Sequence, residues 1–154
     1  AYANGKDMDA REMMLNASMT AGLAFTNVSL GIVHSLAQTI GGYFHISHGL
    51  ADAIILPYII RYNAAVPYAD KKYHDLAAKF GKTDLSEIVD DLNRRLHIPS
   101  TLREPLQEAA RFESLIPEMA VTAKNDGCTK TNPIIPDVNE FAELLKRCYY
   151  GEEK

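Results

Sequence analysis

One long segment without a formal charge constrains this chain more than any other feature. Residues 13–51 contain no Asp, Glu, Lys or Arg, although these residues make up 23% of the sequence. Because charged side chains occupy most protein surfaces, we expect such a segment to be buried. It also holds three of the five histidines, namely His34, His45 and His48. A buried imidazole needs a hydrogen-bond partner or a metal, so we expect the chemistry of the chain within residues 31–52.

The composition is that of a single folded domain. A chain of 154 residues with 47% hydrophobic residues can bury a substantial core. The net charge of -4 argues against nucleic acids and anionic membrane surfaces as partners, since both attract basic proteins. Polar residues interrupt the uncharged segment every few positions, so it lacks the run of about 20 apolar residues that a transmembrane helix needs.

The two cysteines and the N-terminal residues indicate the cellular compartment of the protein. Cys128 and Cys148 form no CxxC pair, and a disulfide framework is not expected from two such residues. The polar N-terminal residues do not resemble a signal peptide. We therefore expect reduced thiols in a cytoplasmic protein.

Apolar residues at helical spacing predict helices along nearly the whole chain. The predicted helices cover residues 7–25, 31–43, 49–62, 67–81, 84–98, 115–124 and 137–150. Pro57 is expected to kink or break the third helix. Residues 101–114 are ambiguous, residues 44–47 and 125–136 are expected to be loops, and strand patterns are nearly absent. The sequence predicts an all-α fold that forms one domain over residues 1–154.

His34 and His48 are the candidate functional pair. His34 lies one turn into the second predicted helix, and Gly41 and Gly42 allow that helix to end and the backbone to turn. Five or six loop residues span about 17–20 Å, which is enough to bring His48 back beside His34. The two imidazoles are then expected to meet in a dry, uncharged cavity.

Two interpretations of this pair remain open at this point. The imidazoles are either hydrogen-bonded core residues or metal ligands, and a metal site normally takes three or four protein ligands. Asp52, at i+4 from His48, is a candidate third ligand, although its position also suits a residue near a helix N-terminus. His45 is either a cleft residue or simply a loop histidine.

Motifs along nearly the whole chain resemble those of the iron-containing alcohol dehydrogenases. The family's second signature is similar to Gly31-x2-His34-x2-Ala37-Gln38-x2-Gly41-Gly42 with the following Ser47-His48-Gly49. Residues 50–58 and 61–63 continue the resemblance, as does Asp126-Gly127-Cys128-Thr129-x-Thr131-Asn132-Pro133. Residues 44–46 and 149–151 look most like the alcohol dehydrogenase part of bifunctional aldehyde–alcohol dehydrogenases.

The resemblance implies a fold and a set of metal ligands. The fold is the C-terminal helical domain of the dehydroquinate-synthase-like architecture, which in this family holds a divalent metal, Fe2+ or Zn2+. Two of the family's four ligands match His34 and His48. The other two, an Asp and a His four residues after it, are expected upstream of Ala1, because nothing in the sequence replaces them. The NAD(P)-binding domain is also expected upstream, so the chain resembles a fragment.

The same resemblance implies a reaction and further site residues. The intact enzyme would interconvert a primary alcohol and its aldehyde, with the metal as Lewis acid and hydride transfer to the nicotinamide of NAD(P). Gln38 matches a position that is often a histidine near the nicotinamide, and Phe25 and Cys128 match positions that line the substrate cleft. The implied partners are the small alcohol or aldehyde, the missing N-terminal domain and further copies in a homo-oligomer. The isolated chain is expected to be inactive.

Two functions from other classes are alternatives. A metal-dependent phosphohydrolase of the His-Asp type would use His48, His74, Asp75 and Asp126. A non-catalytic helical binding module is the other alternative, because the chain lacks two expected ligands and a nucleotide-binding domain.

Overall fold

The computed structural model describes residues 1–152 and confirms the all-α prediction. No residue in this range belongs to a strand. A short 3₁₀ helix, Gly127–Thr131, lies between the last two α-helices. The α-helices are α1 Met8–Val28, α2 Ile32–Phe44, α3 His48–Asn63, α4 Pro67–Ala78, α5 Leu85–Arg95, α6 Arg103–Leu106, α7 Ala109–Asn125 and α8 Val138–Tyr150.

The chain divides into two compact units, the first of which is Ala1–Leu30 and the second of which begins at Gly31. The expectation of one domain over residues 1–154 stays a prediction. Within the described residues, no single helix has the length and hydropathy of a membrane span. The consecutive helices α1 and α2 meet that criterion only as a bent pair, by length and composition.

The first unit contains α1 and no other helix. The helix begins after Asp7, whose carboxylate accepts a hydrogen bond from the backbone amide of Ala10 at 3.0 Å. None of its residues is buried, so the expectation that residues 13–51 are buried throughout is wrong for this part. A helix with apolar residues on all sides needs several neighbours to cover it, and its own unit supplies none. The exposed large apolar side chains include Met13, Met14, Leu15, Met19, Leu23, Phe25 and Val28.

In the second unit, α2 lies at the centre of the core. It packs against α3, α7 and the 3₁₀ helix, while α3 also packs on α5 and α7 on α8. The predicted burial of the uncharged segment is confirmed here. The side chains of α2 that are 0% exposed include Ile32, Leu36, Ala37 and Ile40. Burial of a large aliphatic side chain stabilises a fold by about 1.5–3 kcal/mol.

The third helix continues through Pro57, so of the predicted kink or break the break does not occur. Proline has no backbone N–H, which leaves the carbonyl of Ala53 without its partner within the helix. The side-chain amide of Asn93, on α5, donates to that carbonyl at 2.6 Å. A residue distant in sequence thus satisfies the group that the proline leaves free.

Helix α2 ends one residue later than predicted, and not at a glycine. Gly41 and Gly42 lie inside the helix, and His45 occupies the left-handed conformation after it, with φ 55°. Histidine is among the non-glycine residues that adopt this conformation more readily than most. A Cβ on Gly41 would lie 3.6 Å from the carbonyl oxygen of Ile46, so the loop turns back close to the helix.

The remaining boundaries follow local signals. The ambiguous residues 101–114 form α6 and the start of α7, and the predicted loop at 125–136 includes the 3₁₀ helix. Asp84 accepts hydrogen bonds from the amides of Ser86 and Glu87 at the start of α5. Asp137 and Glu140 form a reciprocal capping box at the start of α8.

A buried pair of side-chain amides connects the ends of α2 and α3. The oxygen of Asn132 accepts from the backbone amide of Ile32 at 3.3 Å and from the Asn63 amide at 3.2 Å. The Asn132 nitrogen donates to the Asn63 oxygen at 2.8 Å and to the carbonyl of Ile134 at 2.6 Å. The side chain of Asn132 is therefore held on both its oxygen and its nitrogen.

Replacement of Gly31 by alanine is expected to lower the free energy of unfolding by about 1–3 kcal/mol. The new Cβ would lie 2.7 Å from the Asn132 oxygen, so the amide would have to move within its buried network. Urea denaturation followed by circular dichroism measures the change.

Gly42→Ala is the matched control, since a Cβ there meets nothing within 4 Å and the residue lies inside α2. Its stability should be unchanged or higher by up to about 1 kcal/mol, because alanine favours the helix. Equal destabilisation by both substitutions would contradict the steric argument.

Candidate metal centre

Helices α2 and α3 bring the imidazoles of His34 and His48 together. His34 is the third residue of α2, and His48 is the first residue of α3. The centroids of the two rings are 5.1 Å apart, with an angle of 62° between the ring planes. The convergence expected from the sequence spacing is present in the structure, whereas the role of the pair as metal ligands stays a prediction.

Asp52 lies beside both histidines, one turn after His48 in α3. Its Oδ2 atom is 3.2 Å from Nε2 of His48 and 3.7 Å from Nε2 of His34. Within residues 1–152 these three side chains form the one group of three or more potential metal ligands, with ligand atoms all within 4.8 Å of one another. Two imidazoles and a carboxylate suit Fe2+ and Zn2+ about equally.

The carboxylate of Asp52 has an environment that suits a bound cation. Its Oδ1 atom is buried and has no hydrogen-bond partner among the described residues. Burial raises the pKa of Asp52 by more than the nearby His34 and His48 lower it. A partly buried carboxylate without enough positive charge around it is destabilised, and a divalent ion in contact with it would reduce that penalty.

The group is more open than the dry cavity expected from the sequence. The side chain of His48 is 49% exposed, and those of His34 and Asp52 are 28% and 23% exposed. His48 is exposed because it lies at the first position of α3, where the loop from α2 meets the helix. A catalytic metal keeps such an open side for water or substrate.

A second hydrogen-bond network fixes α2 next to the 3₁₀ helix. The hydroxyl of Ser35 donates to Asp126 at 3.3 Å and lies 2.9 Å from the hydroxyl of Thr129. The same Asp126 oxygen accepts from the backbone amide of Cys128 at 2.8 Å. The sequence motif included Asp126, Cys128 and Thr129, but it did not reveal their hydrogen-bond connection to Ser35.

The structure places the remaining candidate residues differently. Gln38 is exposed on α2, and its Nε2 atom lies 4.0 Å from Sγ of Cys128. Burial and the neighbouring Asp126 raise the pKa of Cys128, so its thiol is protonated at neutral pH. Phe25 belongs to the first unit and is 43% exposed, and His45 is exposed and outside the metal-ligand group. The catalytic and cleft roles of Gln38, Phe25 and Cys128 stay predictions.

The phosphohydrolase alternative has no support in the geometry. His74 and Asp75 lie on α4, where Asp75 pairs with Lys71 at 2.8 Å. Among the described residues, neither His48 nor Asp126 joins them in a group of metal ligands.

The chain does contain an Asp-x3-His pair, which sequence analysis overlooked. Asp70 and His74 have the spacing of the two ligands expected upstream of Ala1, and their Oδ1 and Nδ1 atoms are 3.3 Å apart. Their side chains are 44% and 59% exposed, and within the described residues they belong to no group of three potential ligands. This pair therefore does not complete the site of His34 and His48.

A separate cavity of the second unit lies apart from these histidines. It has a volume of about 620 Å³, and its lining includes Tyr58, Arg61, Asp90 and His97. The guanidinium of Arg61 is already paired with Asp90 at 3.1 Å and with Glu152 at 3.0 Å. The candidate chemistry therefore lies in the open group on α2 and α3 and not in this cavity.

Comparison with known proteins identifies the family of this chain. The profile of the Fe-containing alcohol dehydrogenase family, C-terminal part, matches residues 1–149. Alcohol dehydrogenase 4 of Saccharomyces cerevisiae is 37% identical over 97% of this chain, which spans 39% of the yeast protein. An aldehyde-alcohol dehydrogenase of Streptococcus pneumoniae is 36% identical over 94% of the chain and 19% of its own length.

A solved structure agrees with the sequence relatives. The iron-containing alcohol dehydrogenase of Thermococcus thioreducens superposes with a TM-score of 0.88 at 35% identity, over 95% of this chain and 39% of that protein. The chain thus spans less than half the length of each of these three proteins. It belongs to the iron-containing alcohol dehydrogenase family and corresponds to the family's C-terminal helical part.

Proposed function

We propose that this chain is the metal-holding part of a longer enzyme that interconverts a primary alcohol and its aldehyde with NAD(P). The observation that carries the proposal is the convergence of His34, His48 and Asp52 in a member of an alcohol dehydrogenase family. The relatives that share its sequence are named alcohol and aldehyde-alcohol dehydrogenases.

The residues of this chain have distinct tasks in the proposal. His34 and His48 hold a divalent ion, Fe2+ or Zn2+, which supplies Lewis acidity toward an alcohol or aldehyde oxygen when bound. The networks of Ser35 and Asn132 keep α2 in place, so the imidazoles are oriented before any ion arrives. Gln38 orients substrate on the same face of α2 by hydrogen bonding, since a neutral amide is neither an acid nor a base near neutral pH.

The dinucleotide is assigned to the part of the enzyme outside this chain. The nine glycines are spread along the sequence, and no glycine-rich segment is present that could approach a pyrophosphate closely. The residues described here therefore do not fit NAD(P). Two observations support a missing part: the chain spans 39% of the yeast relative, and the apolar side chains of α1 are uncovered within their own unit.

We further propose a cytoplasmic, homo-oligomeric enzyme. The location is supported by Cys128 and Cys148, which are both free thiols. Size-exclusion chromatography with light scattering of the longer protein tests the oligomeric state.

The isolated chain of 154 residues is expected to bind metal more weakly than the intact enzyme and to oxidise no alcohol. Two of the four expected ligands and the dinucleotide site would be absent, so neither tight coordination nor hydride transfer is available. The measurement is the absorbance of NADH or NADPH formed with ethanol, butanol and propanediol after loading with Fe2+ or Zn2+. Turnover by this chain alone would contradict the proposal that the dinucleotide site and two of the metal ligands lie outside it.

In the intact enzyme, His34→Ala and His48→Ala should each abolish activity while the helical fold persists. Each substitution removes one ligand from a group whose surrounding core does not involve the imidazoles. Alcohol-dependent NAD(P) reduction and the far-ultraviolet circular dichroism spectrum are the two measurements.

His45→Asn is the matched control for those variants. It removes an exposed imidazole three positions from His48, and asparagine tolerates the left-handed backbone found there. Its activity should equal that of the wild type. A loss as large as that of His48→Ala would show that the effect does not depend on the metal-ligand group.

Gln38→Ala in the intact enzyme should lower kcat/KM by about 10- to 100-fold, which is a milder effect than loss of a ligand. The amide orients groups but transfers no proton in the proposal. Gln38→His is the informative comparison, because its imidazole should add a titration near about pH 6–7 to the rate profile. If Gln38→Ala were as damaging as His34→Ala, the orienting role would be wrong.

A further inference from the structure

We propose that Asp126 is a positioning residue that holds the thiol of Cys128 beside Gln38, on one side of the cleft where the proposed enzyme binds its alcohol. The inference rests on the proposed function, because the family resemblance alone places Gln38 and Cys128 near the substrate. It gives a role to Asp126, which belongs to a motif of that resemblance but has no task in it, and to Ser35, its partner on α2.

One carboxylate oxygen of Asp126 connects the 3₁₀ helix to α2. Its Oδ1 atom accepts a hydrogen bond from the backbone amide of Cys128 at 2.8 Å, and this bond lies at the start of the 3₁₀ helix. The same oxygen accepts from the hydroxyl of Ser35, on α2, at 3.3 Å. Because both bonds end on one atom, they fix the backbone at Cys128 relative to α2.

The groups around this oxygen restrict its movement. Ser35 is 0% exposed and Thr129 is 2% exposed, so their hydroxyls depend on partners within the protein. The hydroxyl of Thr129 lies 2.9 Å from that of Ser35 and donates to the carbonyl of Ala123, on α7, at 2.7 Å. A shift of Asp126 would therefore disturb a buried network that reaches both α2 and α7, which is unfavourable.

The position of the Cys128 backbone determines what its side chain contacts. Its Sγ atom lies 4.0 Å from Nε2 of Gln38, and sulfur is a weak hydrogen-bond acceptor for such an amide. Gln38 follows His34 by four residues in α2, so these two side chains lie on the same face of the helix. Asp126 thus places the thiol next to a side chain that is one helical turn from the candidate metal centre.

Asp126 also acts on the thiol group itself. Burial raises the pKa of Cys128, and the hydrogen bond and negative charge of Asp126 raise it further, whereas the contact with Gln38 lowers it. The thiol is therefore uncharged at neutral pH. An uncharged thiol suits a cleft for alcohols and aldehydes, since a thiolate is both a metal ligand and a nucleophile.

Other charged groups near the 3₁₀ helix do not replace Asp126 in this role. The helix packs against α2 and α7. No Asp, Glu, Lys or Arg is present in α2, whose titratable residues are His34 and Tyr43. On α7, the amine of Lys124 donates to a backbone carbonyl of the following loop at 2.9 Å, and Lys130 of the 3₁₀ helix is exposed. Among the described residues, Asp126 is thus the charged group that raises the pKa of the thiol.

A role of Asp126 confined to helix capping predicts a different result, and Asp137 allows the two roles to be separated. Asp137 also begins a helix by accepting from a backbone amide, that of Glu140 at 2.9 Å, but the first turn of this helix contains no cysteine. Asparagine caps helices about as well as aspartate. Asp126→Asn therefore removes the negative charge and largely keeps the cap, and Asp137→Asn is its matched control.

The first test measures how the rate of alkylation of Cys128 by iodoacetamide depends on pH in the chain of 154 residues, with mass spectrometry to identify the site. The midpoint of the wild-type profile should lie above the value of about 8.5 for an ordinary cysteine. Asp126→Asn should lower the midpoint and accelerate alkylation at neutral pH by about 3- to 30-fold, because the thiolate fraction increases. Asp137→Asn should match the wild type. Cys148, which is 1% exposed, should stay unmodified in every folded variant.

The second test uses the intact enzyme to determine whether Asp126 acts through Cys128. Asp126→Asn should raise the KM for the alcohol by about 3- to 10-fold and change kcat less, because it releases a group that lines the substrate cleft in the proposal. In a Cys128→Ala background the same substitution should have no further effect, since the side chain that Asp126 positions is then absent.

Three results would each overturn the inference. The first is a wild-type alkylation midpoint at or below about 8.5, which decides the question even if Asp126→Asn fails to fold. The second is an identical profile for folded Asp126→Asn and the wild type. The third is an undiminished effect of Asp126→Asn on KM in the Cys128→Ala background.

Failure of the proposed function would give a different result. It would appear as the absence of alcohol oxidation by the wild-type intact enzyme. The alkylation profiles require no enzymatic activity, so they test the action of Asp126 on Cys128 in either case.

Discussion

The buried amides of Asn63 and Asn132 determine how α2 and α3 lie relative to each other. Asn132 bonds the backbone of Ile32 at the first turn of α2 and the side chain of Asn63 at the last residue of α3. Because these contacts join the start of one helix to the end of the other, an axial shift of either helix would break them. An unsatisfied buried amide costs about 1–3 kcal/mol, so this arrangement is strongly preferred. His34 follows Ile32 by only two positions, so the contact between Asn132 and Ile32 also positions His34.

The sequence predicted the helix boundaries well where nearby capping residues determine them. Asp7 and Asp137 begin helices because their carboxylates accept from free backbone amides, and proline at position 67 suits a first turn. Local signals did not settle the outcome where a distant residue decides. A kink or break at Pro57 is the local expectation, but the helix does not break, and Asn93 satisfies the carbonyl that proline leaves free. No pattern near Pro57 could reveal a partner on another helix.

The convergence of the candidate residues was predictable from the sequence, but their surroundings were not. The spacing of His34 and His48 around a short loop was sufficient to predict their convergence, and the i+4 position of Asp52 gave it a place near them. Exposure depends on which other segments cover a residue, so the half-open position of His48 could not be read from its neighbours in sequence. The exposure of α1 could not be predicted for the same reason. Its apolar composition indicates that it should be covered, but it does not show which segment covers it.

The core of the second unit forms without the metal-ligand group. Its centre is α2, whose fully buried residues face α3, α7 and the 3₁₀ helix, while the imidazole of His34 lies at the edge and is 28% exposed. A structural metal, by contrast, usually replaces a core that is too small to fold alone. Here the hydrophobic packing and the amide network already define the backbone at both histidines. In the proposed enzyme, the binding energy of a metal at this site would therefore not be consumed in folding the chain, which is the arrangement that a catalytic metal requires.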